Sequence, residues 1–353
     1  MAPSSLIDSH IHLWPASASN QNAHTWMTPG MPLAKPHLLS NYLLATQDKT
    51  VTTARNPTVE GVVYVETDRA LLPPTSDLTS WAAEALKEIT FLLSIVSGDY
   101  GPEANTKLLG IVLWAPMDQP TSTILEWLEL AEQTAGSETW KRVKGFRFLL
   151  QGLREEAKFR EVVLDGPFVK NLKILGRRGF SFDVGVDQHS SGAWQLEIVE
   201  QAMRRAHEGV EEGGKVTFIV NHLCKPDFSN RTELGHEDEG FVRWKQAIEK
   251  MVKCERTYMK LSGAFSELAE TPTAETDVAE QIEPWVKHVF EWFGSKRMMF
   301  GSDWPVCNVN GPKNGSPFSV WASTVDQLLH KFVPTGDHQH IWSGTAREAY
   351  RLQ

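Results

Sequence analysis

The sequence predicts an α/β fold, a closed (β/α)8 barrel of the TIM type, and three observations predict it. Eight short runs rich in apolar and β-branched residues recur along the whole length. Segments with the apolar spacing of an amphipathic helix fall between them. No Gly-x-Gly-x-x-Gly follows any run, which removes the simplest dinucleotide-binding sheet. The runs are Leu6–Leu13, Gly61–Thr67, Leu109–Ala115, Val143–Leu150, Gly179–Val186, Val216–His222, Tyr258–Gly263 and Arg297–Asp303. Several are almost continuously apolar, as parallel strands covered on both faces are. An open doubly wound sheet is the other arrangement of such units, but a count of eight favours closure.

Trp81, Ala85, Ile89 and Leu92 share one helical face after the second run. Phe168, Leu172 and Leu175 follow the fourth, with Pro167 suited to a first turn and Gly176 and Gly179 to the exit. Trp194, Ile198, Met203 and Ala206 follow the fifth. Phe241, Trp244, Ile248 and Met251 follow the sixth, and Ile282, Trp285, Val289 and Phe293 the seventh. Trp321, Val325, Leu328 and Leu329 follow the eighth, and a short helix is expected after Ser343. Residues 14–36 carry four prolines with Trp14 and Trp26 and read as an ordered loop over the barrel mouth. Residues 223–240 are polar and also loop-like. Neither stretch reads as a linker, so residues 1–353 are expected to form a single domain with elaborated loops.

Lys plus Arg number 35 and Asp plus Glu 44, a net charge of −9, which argues against a nucleic-acid or anionic-membrane partner. No stretch approaches a membrane span, and the N-terminus lacks a basic flank and an apolar core, so no signal peptide is expected. Three scattered cysteines give no disulfide framework and fit a reducing compartment, the cytoplasm. A homo-oligomer stays open. Thirteen tryptophans are the compositional oddity, read either as core or as surfaces that stack on a sugar ring.

The first run ends in His10-Ile11-His12. Residues i and i+2 of a strand share a side, so two imidazoles there face one metal ion. With twelve histidines, chance alone supplies roughly 0.4 such pairs, so context decides. His338-Gln339-His340 is the internal control and reads as a solvated turn. The first pair lies where active sites of this fold gather, at the C-terminal end of a strand. Glu66, His222 and Asp303 close three further runs. One such residue is ordinarily a hydrogen-bonded turn residue; four or five in register point to a site.

Five blocks carry a family resemblance: Asp8-Ser9-His10-Ile11-His12-Leu13-Trp14, Val143-Lys144-Gly145-Phe146-Arg147, Asn221-His222-Leu223-Cys224-Lys225-Pro226, Lys260-Leu261-Ser262-Gly263 and Phe300-Gly301-Ser302-Asp303-Trp304-Pro305-Val306-Cys307. Together with Gly344 to Tyr350, they resemble the sugar-lactone hydrolases of the amidohydrolase superfamily, of the L-fuconolactonase and L-rhamnonolactonase type. The resemblance spans essentially the whole chain. It implies a (β/α)8 barrel, hydrolysis of an aldonolactone to the aldonic acid, and a catalytic aspartate, here Asp303. Some relatives work without a tightly held metal. The sequence departs from the pattern at Cys224, where glycine is expected, and at Phe148, where many relatives have His. The loops before Gly61 and around residues 98–107 and 230–240 are longer than in compact relatives.

The chemistry assigns roles. Lactone opening needs a base for water and a stabilised oxyanion. Asp303 is the expected base, with His222 next in line. His10, His12, His222, Asp303 and Glu66 are the candidate ligands of a divalent metal, and zinc suits an open histidine-rich site. Without a metal, the histidines polarise the carbonyl by hydrogen bonding. Arg147 offers its fork to a substrate oxygen or forms a structural ion pair. Lys225, Asp183 and His189 are candidate substrate contacts, as are Trp14, Trp26, Trp114 and Trp304. Lys260 inside the seventh run is equally a buried ion-pair partner. Cys224 and Cys307 read as packing residues. The runner-up activity is a metal-dependent decarboxylase of the same superfamily. It calls for a further metal-facing His near the end of the fifth strand, where the sequence has Asp183 and His189. A barrel kept for binding alone would show a lost strand-end ligand, and none is lost.

Overall fold

The computed structural model describes residues 5–47, 57–228, 238–268, 275–312 and 315–353. Eight strands form one parallel sheet in chain order: β1 Ser5–Ile11, β2 Thr58–Val65, β3 Leu108–Trp114, β4 Val143–Arg147, β5 Ser181–Val184, β6 Thr217–Val220, β7 Thr257–Leu261 and β8 Met298–Phe300. One principal helix follows each: α1 Leu39–Thr46, α2 Ala83–Val96, α3 Thr121–Trp140, α4 Phe168–Arg177, α5 Trp194–His207, α6 Glu239–Lys253, α7 Glu275–Phe293 and α8 Pro317–Phe332. The chain ends with α9, Thr345–Tyr350. The ring closes just past the three-residue β8. The Asp303 amide donates to the His10 carbonyl at 2.9 Å, and the His12 amide donates to the Trp304 carbonyl at 2.7 Å. The seam that closes the barrel is therefore the segment that carries the expected base.

All eight expected strands exist, but most end earlier than their apolar runs. β4 stops at Arg147 rather than Leu150, because Leu150–Gly152 forms a 3-10 turn. β6 stops at Val220, and β8 at Phe300. The ligand-type residues His12, His222 and Asp303 thus sit in the first residues of loops. α1 and α3 have no counterpart in the expected pattern. In α3 the backbone breaks at Gly136, whose φ is 67°, so the apolar period is interrupted. The 98–107 loop contains a short helix, Pro102–Lys107. Most of the 230–240 loop lies outside the described residues. The His338 segment is corrected: His338 is only 4% exposed, and the chain there is helical from His340 to Gly344.

Two apolar shells hold the barrel. The larger lies between sheet and helices. The smaller fills the inside of the barrel with Ile7, Val63, Val65, Val112, Ile219 and Met299. Ala346, Ala349 and Tyr350 of α9, with Leu352, pack onto that inner shell and close the barrel at the strand starts. Most tryptophans are core, and three repeat one device. The indole of Trp127 in α3 donates to the Trp114 carbonyl, that of Trp244 in α6 to Leu223, and that of Trp321 in α8 to Gly301, each at 2.8 Å. In each case a helix pins the end of the strand before it. Such a partner stabilises a buried indole, since an unmade hydrogen bond costs about 1–3 kcal/mol.

Candidate active site

His10 and His12 converge at the mouth with Asp303. Their Nε2 atoms are 3.2 Å apart, and Asp303 Oδ1 lies 3.5 Å from the first and 3.4 Å from the second. Ligands about 2.05 Å from a tetrahedral ion sit about 3.4 Å from one another, so this triangle is one face of a zinc-sized tetrahedron. All three residues are buried. His222 Nε2 is 3.8 Å from the same carboxylate oxygen and borders the triangle without completing it. The ring of His12 is oriented by its Nδ1, 2.8 Å from the Val65 carbonyl, and that of His222 by its Nδ1, 2.8 Å from Ser262 Oγ. Such partners fix tautomer and orientation in metal sites.

His10 differs. Its Nδ1 accepts from Lys260 Nζ at 3.1 Å, and Lys260 also donates to Asp183 Oδ2 at 2.7 Å. An accepting Nδ1 puts the His10 proton on Nε2, aimed at His12 and Asp303. Without a metal, a directed chain runs from Lys260 through His10 to His12 and on to the Val65 carbonyl. The donor set, two imidazole nitrogens and a carboxylate oxygen, fits a divalent metal.

Electrostatics agree with both states. Burial, then the Lys260 ammonium, holds His10 well below the ordinary histidine value. Burial lowers His222 to about 3 against the pull of Asp303. Burial alone would raise Asp303, but His222, His12 and Lys225 outweigh it, so its carboxylate stays below its ordinary value. At neutral pH the His10 and His222 imidazoles are neutral beside the Asp303 carboxylate, the protonation state a metal or a base requires.

Above the triangle opens a cavity of about 270 Å³, small for a ligand pocket. Trp14, Trp26, Leu33, Leu149 and Val306 give it apolar walls. Arg147, Lys225, Gln151, Thr67 and Asp68 supply polar groups. Arg147 is buried against Glu66: its Nε meets the Glu66 carboxylate, and its Nη2 donates to the Glu66 carbonyl at 2.6 Å. Burial works against the Arg147 charge, but Glu66 more than restores it. Lys225 pairs with Glu267 at 3.0 Å. Asp68 is exposed where it lines the cavity. The protein crowded around its carboxylate, with Glu66 behind it, lifts the carboxyl to about 6. Asp68, Thr67 and Gln151 were not anticipated. Asp68 follows a strand-end acid by two residues, a signal the sequence carried.

Five expected site residues stand elsewhere. Glu66 is not in the metal triangle, because its carboxylate serves Arg147 and the Asp68 amide. Trp114 lies in the core, edge-on to Trp81 and Trp127. Trp304 is 3% exposed and packs on His37 and Tyr42 behind the site. Asp183 is buried inside the barrel on Lys260 and Tyr350. His189 lies beyond Lys225, with its Nδ1 2.9 Å from Glu267, and does not line the cavity.

Backbone strain collects here. Asp68, His222 and Asp303 have φ of 55°, 54° and 60°, and Leu223, Cys224 and Lys225 continue in the same region. Cys224, at φ 63°, occupies a left-handed position that glycine adopts more readily, which explains the expected glycine.

Among proteins of known function, the chain is 28% identical over 365 residues to L-rhamnono-gamma-lactonase of Scheffersomyces stipitis, covering 100% of both chains. It is 25% identical over 348 residues to L-fucono-1,5-lactonase of Burkholderia multivorans, covering 98% of this chain and 96% of that one. An amidohydrolase structure from Burkholderia multivorans solved with bound zinc shares the fold at a TM-score of 0.68 and 24% identity, covering 99% of each chain. Residues 109–352 match the amidohydrolase family, and this chain belongs to it.

Proposed function

We propose that this protein hydrolyses a six-carbon aldonolactone, of the L-rhamnono or L-fucono type, to the aldonic acid, and does so in the cytoplasm. The observation that carries the reading is the Asp303 carboxylate beside the His10, His12 and His222 imidazoles at the foot of a cavity with aromatic walls and two cations. The names of its relatives point to the same substrate class.

Trp26 meets the ring face with the buried Trp14 edge-on behind it, while Arg147 and Lys225 meet the ring's oxygens. Asp303 takes the proton of the attacking water. The cations and the His222 Nε2 edge stabilise the oxyanion that forms at the carbonyl. Asp68, at about 6, is placed to return a proton to the departing ring oxygen. His10, His12 and Asp303 are the residues that would hold a divalent metal, zinc by preference. Such an ion supplies a lowered water pKa and carbonyl polarisation.

An indicator assay in weak buffer tests the reaction class, because each turnover of a lactone releases about one proton at neutral pH. Acidification with at least one aldonolactone, above its spontaneous opening, is the expected result. Carbon dioxide from an aromatic acid, with no lactone consumed, would replace the lactonase with a decarboxylase. Elemental analysis of untagged protein, with activity measured in chelator, tests the metal. Less than about 0.2 ion per chain with full activity leaves the hydrogen-bonded form as the working enzyme.

A further inference from the structure

A second group of metal-ligand side chains stands away from the cavity, at the end of α8. Asp326 and His330 are four residues apart and share a helix face. His338 comes back over them after the turn that follows α8, and its ring centroid is 4.9 Å from that of His330. One ligand atom from each of the three lies within 4.8 Å of the others. Proximity alone would carry nothing, but the polar atoms are set in an unusual way. His338 is 4% exposed. Its Nε2 is 2.9 Å from the Val333 carbonyl, so Nε2 carries the proton and Nδ1 presents a lone pair. That Nδ1 is buried and has no hydrogen-bond partner. Asp326 Oδ1 is likewise buried and unpartnered. His330 Nδ1 is held 2.8 Å from the Asp326 carbonyl, which leaves Nε2 as its lone pair.

Each imidazole therefore has one nitrogen tied to a backbone carbonyl and the other open, the arrangement that orients histidine ligands. An unsatisfied buried acceptor costs about 1–3 kcal/mol, and here two occur in one cluster. We propose that Asp326, His330 and His338 bind a divalent transition metal of the zinc class, with water in the remaining position. Two nitrogens and one carboxylate oxygen select such an ion over magnesium or calcium. His330 is exposed, so an ion has access and that side chain has the freedom to close the last fraction of the distance. Bound there, the ion ties α8 to the segment that leads into α9. The site shares no residue with the triangle at the cavity.

Equilibrium dialysis of the full-length protein against zinc chloride tests this, with His330→Gln and Asp326→Asn beside the wild type. His330 is on the surface, so its replacement leaves the fold intact. Wild type should hold about one ion per chain more than either variant, whatever the occupancy at the cavity. Millimolar magnesium should not remove that ion. Zinc should raise the thermal midpoint of wild type more than that of His330→Gln, while lactone turnover stays equal in the two. Equal zinc stoichiometry in wild type and His330→Gln, or displacement by magnesium, would overturn the assignment. Neither result bears on the lactonase reading, since the variants differ from wild type only at α8.

Discussion

Asp303 is asked to be an acceptor for a water proton while three imidazole edges surround it. Asn at this position keeps the shape and removes the basicity. Asp303→Asn is expected to retain the wild-type circular dichroism and lose about 10²-fold or more in kcat. Retention of a tenth of the activity would move the base to His222. His222 depends in turn on a glycine. A Cβ on Gly263, whose φ is 65°, would lie 2.4 Å from His222 Nδ1. Gly263→Ala should therefore push the imidazole off Ser262 Oγ. Expected results are at least a tenfold fall in kcat and a stability loss of about 1–3 kcal/mol, read by urea titration. An unchanged kcat would show that His222 has no part in turnover. These positions are legible in sequence to different degrees. His10, His12, His222 and Asp303 stand out because ligand-type residues end apolar runs. Glu66 and Asp183 do the same, yet each is turned toward a cation, Arg147 or Lys260, that lies far away in the chain. Residue type reveals the ligand; it does not reveal which buried charge claims it.

At the scale of elements, the strands were readable because their apolar runs have no competing period, while their ends were not. The runs continue into loops whose residues are buried by the helices above them, as Trp244 buries Leu223 and Trp321 covers Gly301. Of the four tryptophans expected at the substrate, Trp114 and Trp304 serve packing, and Trp14 and Trp26 line the cavity. Those two belong to the 14–36 loop, which is fastened by polar bonds rather than by regular structure. Trp14 and His37 exchange backbone hydrogen bonds at 2.9 and 3.0 Å, and the Trp26 indole donates to the Thr67 carbonyl at 3.1 Å. His24 and His37, buried in this loop or at its end, are each lowered by that burial to about 4. Above pH of about 6.5 they are neutral in folded and unfolded chains alike, and their contribution is intact. As pH falls from there toward 4, the unfolded chain binds protons that the folded chain refuses, so stability declines through that window. His24 alone accounts for on the order of 2 kcal/mol at pH 5. Urea titrations at several pH values should show this slope in wild type and a flatter one in His24→Gln. Parallel slopes would remove His24 from the acid response.

Across the whole molecule, the floor and the mouth of the barrel are joined by one line of hydrogen bonds. Tyr350 of α9 donates to Asp183 at 2.9 Å, Lys260 bridges Asp183 and His10, and His10 meets His12 and Asp303. The last helix is thus more than a plug for the inner apolar shell, because it also partners the buried carboxylate that holds Lys260 under His10. Burial lowers Lys260 against the pull of Asp183, so the charge on Lys260 depends on how well Asp183 is held. Tyr350→Phe keeps the packing of the ring on Ala346, Ala349 and the barrel interior, and removes only the hydroxyl. Asp183 then loses one of its buried donors, at a cost of about 1–3 kcal/mol, which a urea titration reads directly. A purely structural role would end there. If the line of bonds sets the His10 tautomer, the variant also changes kcat by severalfold while KM for the lactone holds, since no cavity residue has moved. Loss of stability with kcat unchanged would confine Tyr350 to the floor and separate the barrel's closure from its chemistry.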